Sequence, residues 1–145
     1  MREILFRAKS NQSWCYGYVH KDYESSMSNK WRLTTAYGDA KVVNPNTIGE
    51  WTGLIDKNNV MIFEGDIVGI GRYFNNNYLT KDNYVCKYDT NSASFKFYYI
   101  IPKDIADVNK YAILGDGAAL SDMERGFTIE VIGNIYDNPE ILNDG

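Results

Sequence analysis

Apolar residues in this chain recur at every second position in short runs, and Asn-, Asp- or Gly-rich turns stop each run. A period of two belongs to a pleated strand, whose successive side chains point to opposite faces. A helix needs the 3.6-residue period sustained over three turns or so, and no long segment here keeps it. Short strands broken at intervals of 8–12 residues restrict the chain to a small antiparallel barrel or sandwich with few short helices.

The segments can be assigned in order. Residues 2–8 alternate with Ile4, Phe6 and Ala8 on one face, and residues 14–20 with Trp14, Tyr16 and Tyr18 on one face. The polar stretch 9–13 between them makes this pair a hairpin. A polar loop at 21–30 leads to a strand at 31–35. Turns at Tyr37-Gly38-Asp39 and Asn44-Pro45-Asn46 then lead to 47–54, where Ile48 and Trp51 flank Gly49. Residues 54–55 and 60–63 read as strands around Asp56-Lys57-Asn58-Asn59, since Asp and Asn tolerate positive φ and bond their own backbone. Glu64-Gly65-Asp66 bends the chain before a strand at 67–70, and 75–77 is a loop tip. Strands at 84–88 and 95–101 form a hairpin, with Phe95, Phe97 and Tyr99 facing away from Lys96 and Tyr98. Residues 127–135 form the last strand. Helical turns are expected at 102–110, 118–124 and 138–142.

Composition narrows the function. Twelve Tyr, six Phe and three Trp are present, against one His and two Cys. Cys15 and Cys86 stand far apart, with neither the paired spacing of a zinc site nor the number a disulfide framework needs, so two buried reduced thiols are expected. A catalytic thiol requires a base, but His20 and Cys15 lie five apart on one strand and point to opposite faces. The Glu64–Asp66 pair reads as a turn and not as an acid/base or metal pair, with Asp66 accepting amide hydrogen bonds. Gly115-Asp116-Gly117 is too short for a calcium loop, and Gly65, Gly69 and Gly71 do not spell a dinucleotide fingerprint. No catalytic residue, cofactor or metal is assigned, and a non-enzymatic protein is expected.

The net charge of −4 is unevenly placed: residues 1–50 carry seven bases and five acids, residues 101–145 three bases and nine acids. This opposes a whole-surface nucleic-acid binder, which needs clustered cations. No apolar run is long enough for a membrane helix, and the charged opening Met1-Arg2-Glu3 does not read as a signal peptide.

Three segments resemble the YopX-like family of phage and prophage proteins: REILFRAK with WCYGYV (2–19), IGEWTGLIDKNNVMIFEGDIV (48–68) and EVIGNIYDNPEIL (130–142). The central block is the most specific. Its shared turn pattern falls here on Gly53, Asp56, Asn58, Asn59, Glu64, Gly65 and Asp66, and that of the closing block on Gly133 and Asn134. Asn59 stands where the family usually has glycine, and Phe63 where tyrosine is common; residues 72–126 match poorly. The resemblance implies an SH3-like small β-barrel, a phage-derived gene and a bacterial host cytoplasm. It implies no reaction.

The expected organisation is one domain over 1–145, with an N-terminal β appendage at 1–46 packed on a barrel core at 47–142. Surplus aromatic residues are expected to form an interaction surface of Trp14, Tyr16, Tyr18, Trp31, Trp51 and Tyr98, for a host or phage protein and for self-association. The alternative is a barrel that stacks single-stranded nucleic acid on these rings, with Lys9, Lys21, Lys30 and Arg32 nearby. A third reading makes Asp104, Asp107, Asp116, Asp122 and Glu124 an imitation of a phosphate backbone.

Overall fold

The structure, a computed structural model, describes residues 3–22, 30–74, 77–100, 111–113 and 127–144. The expected helical turns at 102–110 and 118–124, residues 75–76 of the loop tip, most of the loop at 21–30 and the five acids of the third reading lie outside them. Two compact units divide the chain, Met1–Gly53 and Leu54–Gly145.

The first unit is a meander of β1 (Phe6–Ser10), β2 (Ser13–Lys21), β3 (Trp31–Thr35), β4 (Ala40–Val43) and the start of β5 (Gly49–Ile55), hydrogen-bonded in the order β4-β3-β2-β1-β5. The turn expected at 9–13 shrinks to two residues, because Lys9 pairs with Trp14 and Ser10 with Ser13. Asn11 and Gln12 take positive φ, 49° and 70°, as the twist of a two-residue hairpin requires. One face buries Ala8, Cys15, Leu33 and Val43, with Val19, Trp31 and Ile48 packed against them. Asn44 caps a one-turn 3-10 helix, Pro45–Thr47, by accepting the Asn46 N–H at 3.0 Å. That turn also covers part of the β1 edge. Thr47 Oγ1 accepts the Lys9 N–H at 2.9 Å, and the Asn44 N–H donates to the Lys9 carbonyl at 2.8 Å.

The second unit contains β6 (Met61–Phe63), β7 (Asp66–Phe74), β8 (Asn77–Asp89), β9 (Ser94–Ile100), β10 (Tyr111–Ile113), β11 (Phe127–Asn134) and α1 (Glu140–Asp144). Its antiparallel sheet runs β10-β9-β8-β7-β11. Both sheet faces are apolar, which explains the unbroken run Ile67-Val68-Gly69-Ile70. Val68, Ile70, Tyr84, Cys86, Phe97 and Ile129 pack with Ile62 on one side. Ile67, Val85 and Ile100 pack on the other, under Ile135, Ile141 and Leu142. Apolar residues of the short C-terminal helix thus complete the second core, a role no local pattern announces.

The small, mainly antiparallel β architecture is as expected, and its described strands do not form a closed barrel. Among the described strands, β10 and β11 end the sheet and do not pair with each other. The reason is local: turn residues occupy the outer edge of β11, as described below. The expected alternation of β9 needs one amendment. Phe97 faces the core, yet Lys96 on the opposite side is also buried, because its ammonium lies 3.0 Å from Asp89. Hydrogen bonds from Ser92, and next from Lys96, pull the Asp89 carboxyl down to about 2.

Candidate functional site

Directly opposed residues of antiparallel strands share a face, so the register decides which rings stand together. Lys9 opposes Trp14, Arg7 opposes Tyr16, Tyr18 opposes Thr34, and His20 opposes Arg32. Arg32 opposes Val42 and Thr34 opposes Ala40, while Arg7 also opposes Gly49. Trp51 joins this face two residues beyond Gly49, its N–H donating to the Leu5 carbonyl at 2.7 Å. Trp14, Tyr16, Tyr18 and Trp51 therefore share the face opposite the Leu33 core. Trp31 lies on the core face and packs against that cluster. Tyr98 belongs to β9 of the second unit, half-buried.

The shared face has two regions. At one end the Arg7 guanidinium lies 4.4 Å and the Lys9 ammonium 5.2 Å from the centroid of the Trp14 ring. A ring quadrupole attracts such cations, and Arg7 is buried there. Away from it, Tyr16 and Tyr18 are 47% and 60% exposed, and Val42 is also exposed. Arg32 at the margin is paired with Asp22 at 3.1 Å. Just past this area, the β3–β4 turn carries Tyr37, 94% exposed beside Gly38. The sequence offered Tyr37 only as turn punctuation. The exposure of Val42 depends on cross-strand register, which a single strand does not display.

Apart from Gly53, the turn residues of the central and closing segments lie in the second unit, where they brace the backbone. Asp56, 4% exposed, accepts the Asn58 and Val60 N–H groups on Oδ1 at 2.8 and 2.9 Å. Its Oδ2 accepts the Val131 N–H at 2.9 Å, and the Lys57 N–H donates to the Ile129 carbonyl at 2.9 Å. Asn59 closes the turn at φ 63°. Lys57 and Lys81 each reach Glu130 at 3.4 Å, and Lys57 foremost holds that carboxyl below its ordinary range.

The following bend is equally structural. Asp66, fully buried, accepts the Phe63 N–H at 2.8 Å. Gly65, at φ 92°, donates to the Cys86 carbonyl at 2.8 Å and accepts from Ile135 at 2.9 Å; a Cβ there would lie 3.0 Å from the Tyr136 ring. Glu64 is half-buried in the same bend. Gly53 lies in β5 at φ 86°. The β11 register shifts between Val131 and Gly133. Asn134 then accepts the Tyr136 and Asp137 N–H groups at 3.0 and 2.9 Å. These carboxylates and amides hold backbone.

Both thiols are free and buried, and exposed His20 faces away from Cys15 across β2. Among the described residues there is no cluster of three or more His, Cys, Asp or Glu that could hold a metal, and no helix long and apolar enough to cross a membrane.

The fold and this face define a small, two-sheet antiparallel β protein that displays tyrosines on the outside of its first unit. The chain belongs to the YopX protein family, whose model matches residues 5–143. It is similar in fold to the crystal structure of protein EF1440 from Enterococcus faecalis. That likeness has 23% identity and a TM-score of 0.53, and it covers 99% of this chain and 100% of the other. No curated protein matches the chain.

Proposed function

We propose that this protein is a non-enzymatic interaction module of phage or prophage origin. It acts in the host bacterial cytoplasm and presents the outer face of its first unit to a host or phage protein. The observation that carries this reading is the exposure of Tyr16 and Tyr18 together on the outer face of β2. Tyrosine gives a large contact area at little entropic cost and is enriched where partners bind. A protein is favoured over single-stranded nucleic acid by the state of the cations. Arg7 is buried over Trp14 and Arg32 is paired with Asp22, whereas a nucleic-acid groove needs cations that track phosphates. Self-association belongs to the same reading, since β4 is the outermost strand of the first unit.

The test is affinity capture from phage-bearing host cells with wild type and a Tyr16→Ala/Tyr18→Ala variant, with and without nuclease. The expected result is a discrete protein recovered in both nuclease arms by wild type and lost by the variant. The variant should melt within about 1 kcal/mol of wild type, because exposed rings contribute little to stability. Recovery only without nuclease would transfer the face to nucleic acid. Equal recovery by wild type and variant would remove these tyrosines from the interface.

A further inference from the structure

An outermost strand presents a row of N–H and C=O groups that can accept another strand. Among the described strands, β11 pairs with β7 alone. On its other side, the Ile129 carbonyl and the Val131 N–H point away from β7, and the groups that meet them do not come from a strand. The Lys57 backbone N–H takes the first at 2.9 Å, and the Asp56 carboxylate takes the second at 2.9 Å. The two bonds fall two residues apart, at the spacing of consecutive ladder positions on one strand side. A turn is thus standing in for a strand. Asp56 is fixed in this place by the two further amides it accepts, those of Asn58 and Val60.

We propose that Asp56 and Lys57 are a built-in stopper on a strand-addition edge, and that the strand excluded by it is β11 of a second copy. β11 suits itself as a partner. In an extended strand a residue's N–H and C=O point to the same side, so two antiparallel copies with their two-fold axis at Ile129 exchange both bonds between the two Ile129 residues. That register sets each Glu130 opposite Thr128 of the other copy, so like charges do not face each other across the junction. With the stopper in place, the edge is closed to such growth.

Two variants open the edge without dismantling the turn. Asp56→Asn keeps an Oδ1 acceptor for Asn58 and Val60 but turns an amide N–H₂ toward the Val131 N–H, donor against donor. Lys57→Pro removes the donor to Ile129 at the second position of the Asp56–Asn59 turn, where proline is favoured. The probe is a fluorescein-labelled peptide of residues 127–134, titrated into full-length protein, with mass followed by light scattering over a concentration series. Expected is peptide binding roughly tenfold tighter or more than wild type, equivalent to one or two recovered ladder hydrogen bonds. The variants' mass should also rise with concentration beyond that of wild type. Folded variants that take up the peptide no better than wild type would overturn the proposal. If Asp56→Asn fails to fold, Lys57→Pro decides by the same readings.

Discussion

Gly17 lies between Tyr16 and Tyr18, on the side of β2 that faces the first core, and a methyl group there has nowhere to go. An ideal Cβ would overlap the Thr34 carbonyl oxygen and lie 3.1 Å from Leu33 Cδ2, against a practical floor of 3.0 Å. The first neighbour is backbone and cannot rotate aside, so β3 must retreat by about 1 Å or β2 must unbend. Retreat disturbs the ladder where Gly17 opposes Thr35 and Tyr18 opposes Thr34. Two weakened hydrogen bonds at about 1 kcal/mol each, plus overpacking of about 1–2 kcal/mol, give Gly17→Ala a cost of about 3–4 kcal/mol. The measured cost should be compared with Gly38→Ala. Gly38 also has a backbone unsuited to alanine, at φ 88°, but no atom within 4 Å of a new Cβ. Backbone strain alone costs about 1–2 kcal/mol there. The assay is urea unfolding followed by tryptophan fluorescence. All three tryptophans, Trp14, Trp31 and Trp51, lie in the first unit, so the signal reports that unit. Equal costs for the two variants, or a Gly17→Ala cost under about 0.5 kcal/mol, would refute the close-approach argument.

Two further outcomes concern the second unit. Burial, then Asp82 and Tyr99, pushes the Tyr84 hydroxyl up to about 12 from an ordinary 10. A group whose folded pKa is raised contributes stability below its unfolded pKa and loses it as pH climbs through the folded value. Stability should therefore fall between about pH 10 and 12, by up to about 2–3 kcal/mol, and Tyr84→Phe should remove that part of the fall in denaturant titrations at high pH. Asp66→Ala would leave the buried Phe63 N–H without its acceptor and should cost about 1–3 kcal/mol. Asp66→Asn, which retains an acceptor oxygen, should recover part of that loss in the same circular-dichroism melt.

Sequence alone determined the local architecture because strand alternation and turn chemistry act over a few residues. The strand at 31–35 has the bounds of β3, and the outward alternation of Trp14, Tyr16 and Tyr18 follows from the pleat of β2. The turn at 56–59 and the bend at 64–66 were legible for the same reason: Asp, Asn and Gly state their backbone preferences without help. Tertiary structure decided what those elements meet. Trp31 and Tyr16 are both aromatic strand residues, but register turns one, half-buried, toward the core face and leaves the other exposed on the opposite face. Asp56 reads as a turn former, yet its second oxygen serves Val131, 75 positions away. That bond, with the one from Lys57, occupies the outer edge of β11, where the described sheet ends. Pairing between distant strands depends on which backbone groups remain unsatisfied after the local bonds are made, and the order of residues along one strand does not contain that information.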